Sequence, residues 1–242
     1  MDVLLTNDDG YDAPGLHAAF EAIRHLGRVH VVAPLTERSS CGHAITTGRP
    51  IRIRVVEHEH FGAVHAVDGT PADCVRLAHG GLIPAPIDLV VSGINRGANT
   101  GVDVYYSGTV AAAREAALLG HRALAVSQAV RIGIDVDWPT TTDITRRLVE
   151  RLLTEALPGP GFWSINYPAP IPENPDEHIH RVPIAEQAWP IHFERQDGHN
   201  ERSMSLQYAV PYWERAISAR SDYTVIRDGG IAVSAVPLFC RF

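Results

Sequence analysis

The chain alternates short, almost wholly apolar runs with segments whose apolar residues recur every three or four positions. Asp2-Val3-Leu4-Leu5-Thr6 is the first run, and it predicts a strand buried on both faces. Asn7-Asp8-Asp9-Gly10 breaks it. From Pro14 to Leu26 the residues Leu16, Phe20, Ile23 and Leu26 fall at helical spacing, and Gly27 ends that helix. Val29 to Ala33 is a second strand, stopped by Pro34. Arg49 to Val56 and Val64 to Val67 are expected strands, the former with Ile51, Ile53 and Val55 alternating against arginines.

Pro71 to His79 predicts a helix with Pro71 at its first position, behind Gly69 or Thr70. Ile87 to Val91 is another buried strand, Thr109 to Leu119 an alanine-rich helix closed by Gly120, and Ala123 to Val126 the next strand. Ile144 to Leu157 is a long amphipathic helix, followed by Pro158-Gly159-Pro160-Gly161 and a strand at Trp163 to Asn166. This alternation points to an α/β fold with a doubly wound, mostly parallel sheet. Residues 168 to 200 are rich in proline and histidine without helical period. Strands are expected at Met204 to Val210 and Ile231 to Val236. The division is therefore a core over 1–167 and an irregular extension over 168–242 that serves contacts between subunits.

The length of 242 residues, 45% of them hydrophobic, suits one large α/β unit or one with a smaller appended piece. No apolar run approaches the ~18 residues of a membrane span. The N-terminal segment carries no basic stretch ahead of its apolar run, so no secretory signal is expected. A net charge of -7 without a basic block argues against phosphate-based nucleic-acid binding. Cys41, Cys74 and Cys240 are scattered, which excludes a disulfide framework and a four-cysteine zinc site and favours a reducing, cytoplasmic setting. All 21 basic residues are arginine. Schiff-base enzymes and Walker-type phosphate loops need lysine, so both classes are excluded.

Three polar loops follow buried strands: Asn7 to Gly10, Pro34 to His43 with Ser39 and Ser40, and Ser92 to Gly101. In a parallel sheet all three leave the carboxyl edge, where open α/β folds bind ligands. Adjacent Asp8 and Asp9 repel unless a cation or protons compensate, and a hard divalent metal takes such oxygen ligands. Asn-Asp-Asp-Gly is equally good turn chemistry. The glycine-rich Ser92 to Gly101 loop offers amides from Asn95 and Asn99 and close backbone approach. Ser107-Gly108-Thr109 opens a helix, which is either plain capping or an anion site. His58, His60 and His65 surround a strand and could suggest zinc, but no cysteine or second spaced pair completes a tetrahedral set, so zinc is not expected. His178, His180, His192 and His199 are expected to be solvated, His43 stays unassigned, and Trp163, Trp189 and Trp213 are expected in packing or interfaces.

These motifs resemble the SurE family, survival proteins that are metal-dependent 5'/3'-nucleotidases. The resemblance is carried by Leu4 to Gly10 with Pro14-Gly15, Arg38 to Thr46, Gly69 to Val75, Ser92 to Gly101 and Tyr106 to Ala116. It is weaker in the tail, in Ile165-Asn166-Tyr167-Pro168 and Gly230 to Leu238, and Arg220-Ser221-Asp222 stands where the family usually has Gly-Thr-Asp. The resemblance implies a Rossmann-like core and a tail exchanged between subunits of a homodimer or homotetramer. It implies one divalent cation per subunit, Mg²⁺ or Mn²⁺, held by Asp8, Asp9, Ser39 and Asn95, and phosphate contacts from Asn99, Ser107, Gly108 and Thr109. The expected reaction is hydrolysis of nucleoside 5'- and 3'-monophosphates, with short polyphosphates as further substrates. Asp8 or Asp9 would orient the attacking water; an aspartyl-phosphate route through Asp8 lacks its customary lysine. The competing readings are a sugar-nucleotide transferase and a non-catalytic nucleotide- or metal-binding regulator.

Overall fold

The structure is a computed structural model that describes residues 1–188, 190–196, 204–209, 213 and 220–239. The expectations for Trp189, His199, Val210 and Cys240 lie outside these residues. Strand β1 (Asp2–Thr6) leads into helix α1 (Pro14–Ile23) and a 3-10 turn at Arg24–Leu26, then β2 (Arg28–Pro34). An antiparallel pair, β3 (Ile53–His58) and β4 (Gly62–Val67), precedes α2 (Pro71–Leu77) and β5 (Leu89–Arg96). Next come α3 (Asp103–Tyr106), α4 (Gly108–Leu118), β6 (Arg122–Gln128), α5 (Trp138–Thr154) and β7 (Gly161–Tyr167). The remainder holds β8 (Ile179–Arg181), β9 (Phe193–Gln196), β10 (Ser205–Tyr208), α6 (Asp222–Arg227) and β11 (Ile231–Pro237).

Nine strands form one sheet in the order β3-β4-β2-β1-β5-β6-β7-β11-β8. Only β3 with β4 and β11 with β7 pair antiparallel. The apolar runs follow from the layers. Val3 and Leu5 of β1 pack toward α1 and α5, while Leu4 packs toward α2 and α4, and all three are fully buried. A strand covered on both faces has no polar positions to spare. From β1 the chain turns outward to β2 on one side and later to β5 on the other, so the switch in winding direction falls between β1 and β5. Ligands of open α/β sheets bind at such a switch. Gly15 lets α1 seat against β5 there, because a Cβ on it would lie 1.8 Å from the Ile94 carbonyl oxygen.

Several boundaries differ from the sequence reading. Pro34 is the last residue of β2 and does not stop it short. The strand expected from Arg49 begins at Ile53, and Arg49 lies ahead of it with its guanidinium donating to the Asp68 carbonyl at 2.9 Å. Strand β5 runs through Ser92 to Arg96, where a loop was expected, and Asn95 and Arg96 register with Ser127 and Gln128 of β6. Helix α5 starts at Trp138, well before Ile144, because Asp137 caps it by accepting the Thr140 N–H at 3.1 Å. The region beyond 167 is not uniformly irregular. β8 and β11 extend the main sheet and α6 packs on β11, whereas β9 and β10 form a separate two-stranded sheet. His180 lies in β8 with its Nδ1 2.6 Å from the Arg220 guanidinium, so it is not simply solvated. Among the described residues no helix is long and apolar enough to cross a membrane.

Asp73 shows how local sequence fixes a loop. Thr70 and Asp73 form a reciprocal capping box at the start of α2. The same carboxylate accepts the Thr46 N–H at 2.9 Å and the Thr46 hydroxyl at 2.7 Å, clamping the long segment after β2. Burial pushes the Asp73 carboxyl up, but these hydrogen bonds from Thr46 and Thr70 outweigh it and hold the group below its usual range. Its stabilisation is therefore complete above the ordinary carboxylate range and is lost as pH falls below about 4. Asp73→Asn should lower unfolding free energy by about 1–3 kcal/mol at neutral pH. Urea titrations should show the gap to wild type narrowing below about pH 4, and a gap that stays constant with pH would contradict this account.

Candidate active site

At the end of β1, Asn7 closes a turn by donating its side-chain N–H to the Gly10 carbonyl at 2.7 Å. The turn leaves Asp8 pointing inward, 4% exposed, and Asp9 partly buried. The Asp8 carboxylate is held from the start of α4: the Thr109 hydroxyl and the Thr109 backbone N–H both donate to it. Gly108 makes this approach feasible, since a Cβ there would sit 2.8 Å from the Asp8 Cβ. Asp9 accepts the Arg96 N–H at 3.1 Å, so the extension of β5 steadies the second carboxylate. Burial pushes the Asp8 carboxyl up to about 6; the Thr109 hydroxyl opposes the rise and the charge of Asp9 adds to it. Asp9 is raised as well, by burial and then by the charge of Glu37.

The segment after β2 is stitched to this turn. The Arg38 N–H donates to the Asp8 carbonyl at 2.7 Å, and the Gly42 N–H donates to the Tyr106 carbonyl at 2.9 Å. His43 lies 2.7 Å from Glu115, which also accepts from Arg76 at 2.7 Å; the unassigned histidine thus anchors the loop to α4. Ser39 is exposed and donates its hydroxyl hydrogen to Glu37 at 2.6 Å, leaving its oxygen lone pairs free. Asn95 donates its amide to the Gly97 carbonyl at 2.7 Å, so its oxygen is the end left for a ligand.

Asp8, Asp9, Ser39, Asn95, Asn99 and Ser107 all line one cavity of about 450 Å³ at the switch between β1 and β5. Thr109 and Gly108 differ from expectation. Thr109 is fully buried and spends its hydroxyl and its N–H on Asp8, so it orients a carboxylate and does not line the cavity. Gly108 is likewise packed against Asp8 and is absent from the cavity wall. Ser107 caps α4 by accepting the Val110 N–H at 3.1 Å, which leaves its hydroxyl hydrogen for the cavity. Asn99 is buried; its N–H donates to the Asn166 side chain at 2.7 Å and its amide to the Ser127 hydroxyl at 2.9 Å.

Glu37, Asp103, Tyr106 and Trp138 also face the cavity and were not singled out from sequence. For Trp138 the signal existed, as an aspartate and a proline flank it at the start of α5. Asp222, named from sequence only within Arg220-Ser221-Asp222, had no role assigned. It accepts the Gly101 N–H at 2.8 Å and the Ala185 N–H at 2.8 Å, pinning the glycine-rich loop to the tail. Within the Arg220-Ser221-Asp222 departure, Ser221 caps α6 in a capping box with Thr224, so the local helix start is intact.

The donors fit a hard divalent cation: two carboxylates, a hydroxyl oxygen and an amide oxygen, without sulfur or imidazole. A carboxyl raised by burial and, to a lesser degree, by a neighbouring negative charge is the environment that a positive ion relieves.

The profile of the family described as "Survival protein SurE" matches residues 3–191. The chain is 46% identical over 186 residues to "5'-nucleotidase SurE" of Pelobacter propionicus, covering 76% of this chain and 70% of that protein. It is 36% identical over 238 residues to "5'-nucleotidase SurE" of Rhodopirellula baltica, covering 97% of this chain and 91% of that protein. Among solved structures, the SurE protein from Aquifex aeolicus superposes with a TM-score of 0.82 at 30% identity, covering 100% of this chain and 95% of that one. With that match extending through the switch point and the segments that bear Asp8, Ser39 and Asn95, the chain belongs to the SurE family.

Proposed function

We propose that this chain is a metal-dependent 5'-nucleotidase that hydrolyses nucleoside monophosphates to nucleoside and inorganic phosphate. The observation that carries the reading is the convergence of Asp8 and Asp9 from the turn after β1, Ser39 from the segment after β2 and Asn95 from the end of β5 on one cavity. Its relatives' names, 5'-nucleotidase SurE, give the reaction class.

In this reading Asp8, Asp9, the Ser39 hydroxyl oxygen and the Asn95 amide oxygen hold one cation, Mg²⁺ or Mn²⁺. When bound, such an ion neutralises charge on phosphoryl oxygens and acidifies water. Thr109 fixes the Asp8 carboxylate so that it meets the ion without reorganising. The Ser107 hydroxyl and the remaining amide hydrogen of Asn99 donate to phosphoryl oxygens, with the α4 N-terminus adding its dipole. Asp9 is the carboxylate nearer solvent and orients the attacking water. The rings of Tyr106 and Trp138 line the same cavity and give a nucleoside base a surface to stack on.

The separate β9–β10 sheet supports subunit contact. Phe193 pairs with Tyr208 and Arg195 with Leu206, so one exposed face of the two-stranded sheet carries three large apolar side chains beside one arginine. An isolated hairpin of this kind is marginal in water. In this reading the face packs against a second copy of the chain, in a homodimer or homotetramer.

Wild-type protein with Mg²⁺ or Mn²⁺ should release phosphate from a panel of nucleoside monophosphates, and EDTA or Asp8→Asn should abolish release. Full turnover by Asp8→Asn would defeat the site assignment, while sugar transfer to an acceptor without free phosphate would favour a transferase. Thr109→Val should fold normally yet lose roughly 10–100-fold in metal affinity or turnover, the range for groups that orient a ligand; unchanged turnover would leave Thr109 as packing only. Light scattering should give an oligomer for wild type and a smaller species for Leu206→Asp, and an identical mass for both would remove the hairpin from the interface.

A further inference from the structure

A second cluster of ligating side chains lies outside the oxygen-lined cavity. The fold brings together Asp12 from the loop after β1, His17 from α1 and His58 from the end of β3. One atom of each lies within 4.8 Å of the other two. The Asp12 carboxylate is 3.1 Å from His58 Nε2 and 3.6 Å from His17 Nε2. Tetrahedral coordination with bonds of about 2.0–2.2 Å places ligand atoms roughly 3–3.6 Å apart, so two of the three edges already have the required length. The third, between the two imidazole nitrogens, is within 4.8 Å.

Two further observations point to a ligand. His17 Nε2 is buried and makes no hydrogen bond. A polar nitrogen shut from water without a partner is costly, and an ion is a partner that would satisfy it. The ring planes are also set in advance. His58 stacks on Phe61 with centroids 4.3 Å apart, and His17 meets the same ring edge-on at 4.9 Å. His17 is held toward its neutral form, first by burial and then by His58 and His60, which keeps a nitrogen lone pair available.

We propose that Asp12, His17 and His58 bind a borderline transition-metal ion, with Zn²⁺, Co²⁺ and Ni²⁺ as the chemical class. Two imidazoles and one carboxylate suit those ions, whereas all-oxygen donors suit Mg²⁺ and Mn²⁺, so the chain carries two sites that sort metals by donor type. The ion clips the β3–β4 turn to α1 and to the loop that follows Asp9. Pro14 and Gly15 at the start of α1 line the catalytic cavity, so the clip braces one wall of that cavity without contributing a ligand to it. Loading has one local consequence. The His60 N–H donates to His58 Nδ1 at 3.2 Å, which places the neutral ring's proton on Nε2. Ligation through Nε2 moves that proton to Nδ1 and turns the exposed His60 amide to water, with no net change in protonation.

The test is calorimetric titration of the intact protein with Zn²⁺ in excess Mg²⁺, which occupies the oxygen site. One equivalent should bind at about 1 µM or tighter. His17→Gln and His58→Gln should each weaken binding at least about tenfold, the least expected from disturbing a ligand. His79→Gln removes a member of the exposed His79–His121 pair and should leave the affinity unchanged. On ¹⁵N-histidine-labelled wild type, one equivalent of Zn²⁺ should give its largest imidazole shifts at His17 and His58. This readout needs no variant to fold. Affinity weaker than about 1 mM, full affinity in both substitutions, or shifts centred on other histidines would each overturn the proposal.

Discussion

The structure turns on a carboxylate that the fold itself makes uncomfortable. Asp8 is almost wholly buried at the end of a central strand, with a second aspartate beside it in the chain. Burial alone would favour the protonated acid. The fold answers with two donors from Thr109 and with the positive end of α4, but not with a buried arginine: the guanidinium of Arg114 stands over Phe162 and donates to the Val104 carbonyl. Partial compensation of this kind leaves a negative pocket with a defined shape. A site that neutralised Asp8 completely would have no affinity left for a cation.

Holding that pocket open requires very close backbone packing around it. Gly15 and Gly108 are two places where a side chain would destroy the geometry, one against the Ile94 carbonyl and one against Asp8 itself. Both stand at the N-terminal ends of helices that cover opposite faces of the sheet. The loops are then tied crosswise: Arg38 to Asp8, Gly42 to Tyr106, Asn99 to Asn166 and Gly101 to Asp222. The last two ties reach into β7 and the segment before β11, so the tail helps to shape a site whose chemistry lies in the first half of the chain.

What the sequence disclosed follows from which interactions are local. Buried parallel strands appear as apolar runs because both faces are covered, and Asp8 with Asp9 stands out because neighbouring like charges demand a reason. Ser92 to Arg96 reads as loop because the ten-residue stretch Ser92 to Gly101 carries three glycines, yet β6 pairs with Ser92, Asn95 and Arg96 across a register shift. Helix α6 was hidden because Tyr223, Thr224, Val225 and Ile226 are strand-forming types, and tertiary packing on β11 overrides that preference. A helix start such as Ser107-Gly108-Thr109 looks the same in sequence whether its donors face a ligand or a neighbouring carboxylate, and here the Thr109 donors face Asp8. The meeting of His58 with His17 and Asp12 crosses 46 residues for the Asp12 pair and leaves no spacing pattern to find.

The absence of lysine sharpens the division of labour between the cavity and its surroundings. Every fixed cation in the chain is a guanidinium, which stays charged and cannot act as a base at any working pH. Proton transfer at the cavity therefore falls to carboxylates, hydroxyls and water. Asp9 is suited to that role by being raised yet partly open to solvent, whereas Asp8 is locked by Thr109 and cannot move to follow a proton. Two adjacent residues of one type are thus set apart by burial and by Thr109: the inner carboxylate is fixed in place, and in the proposed reaction the outer one is the one free to handle water.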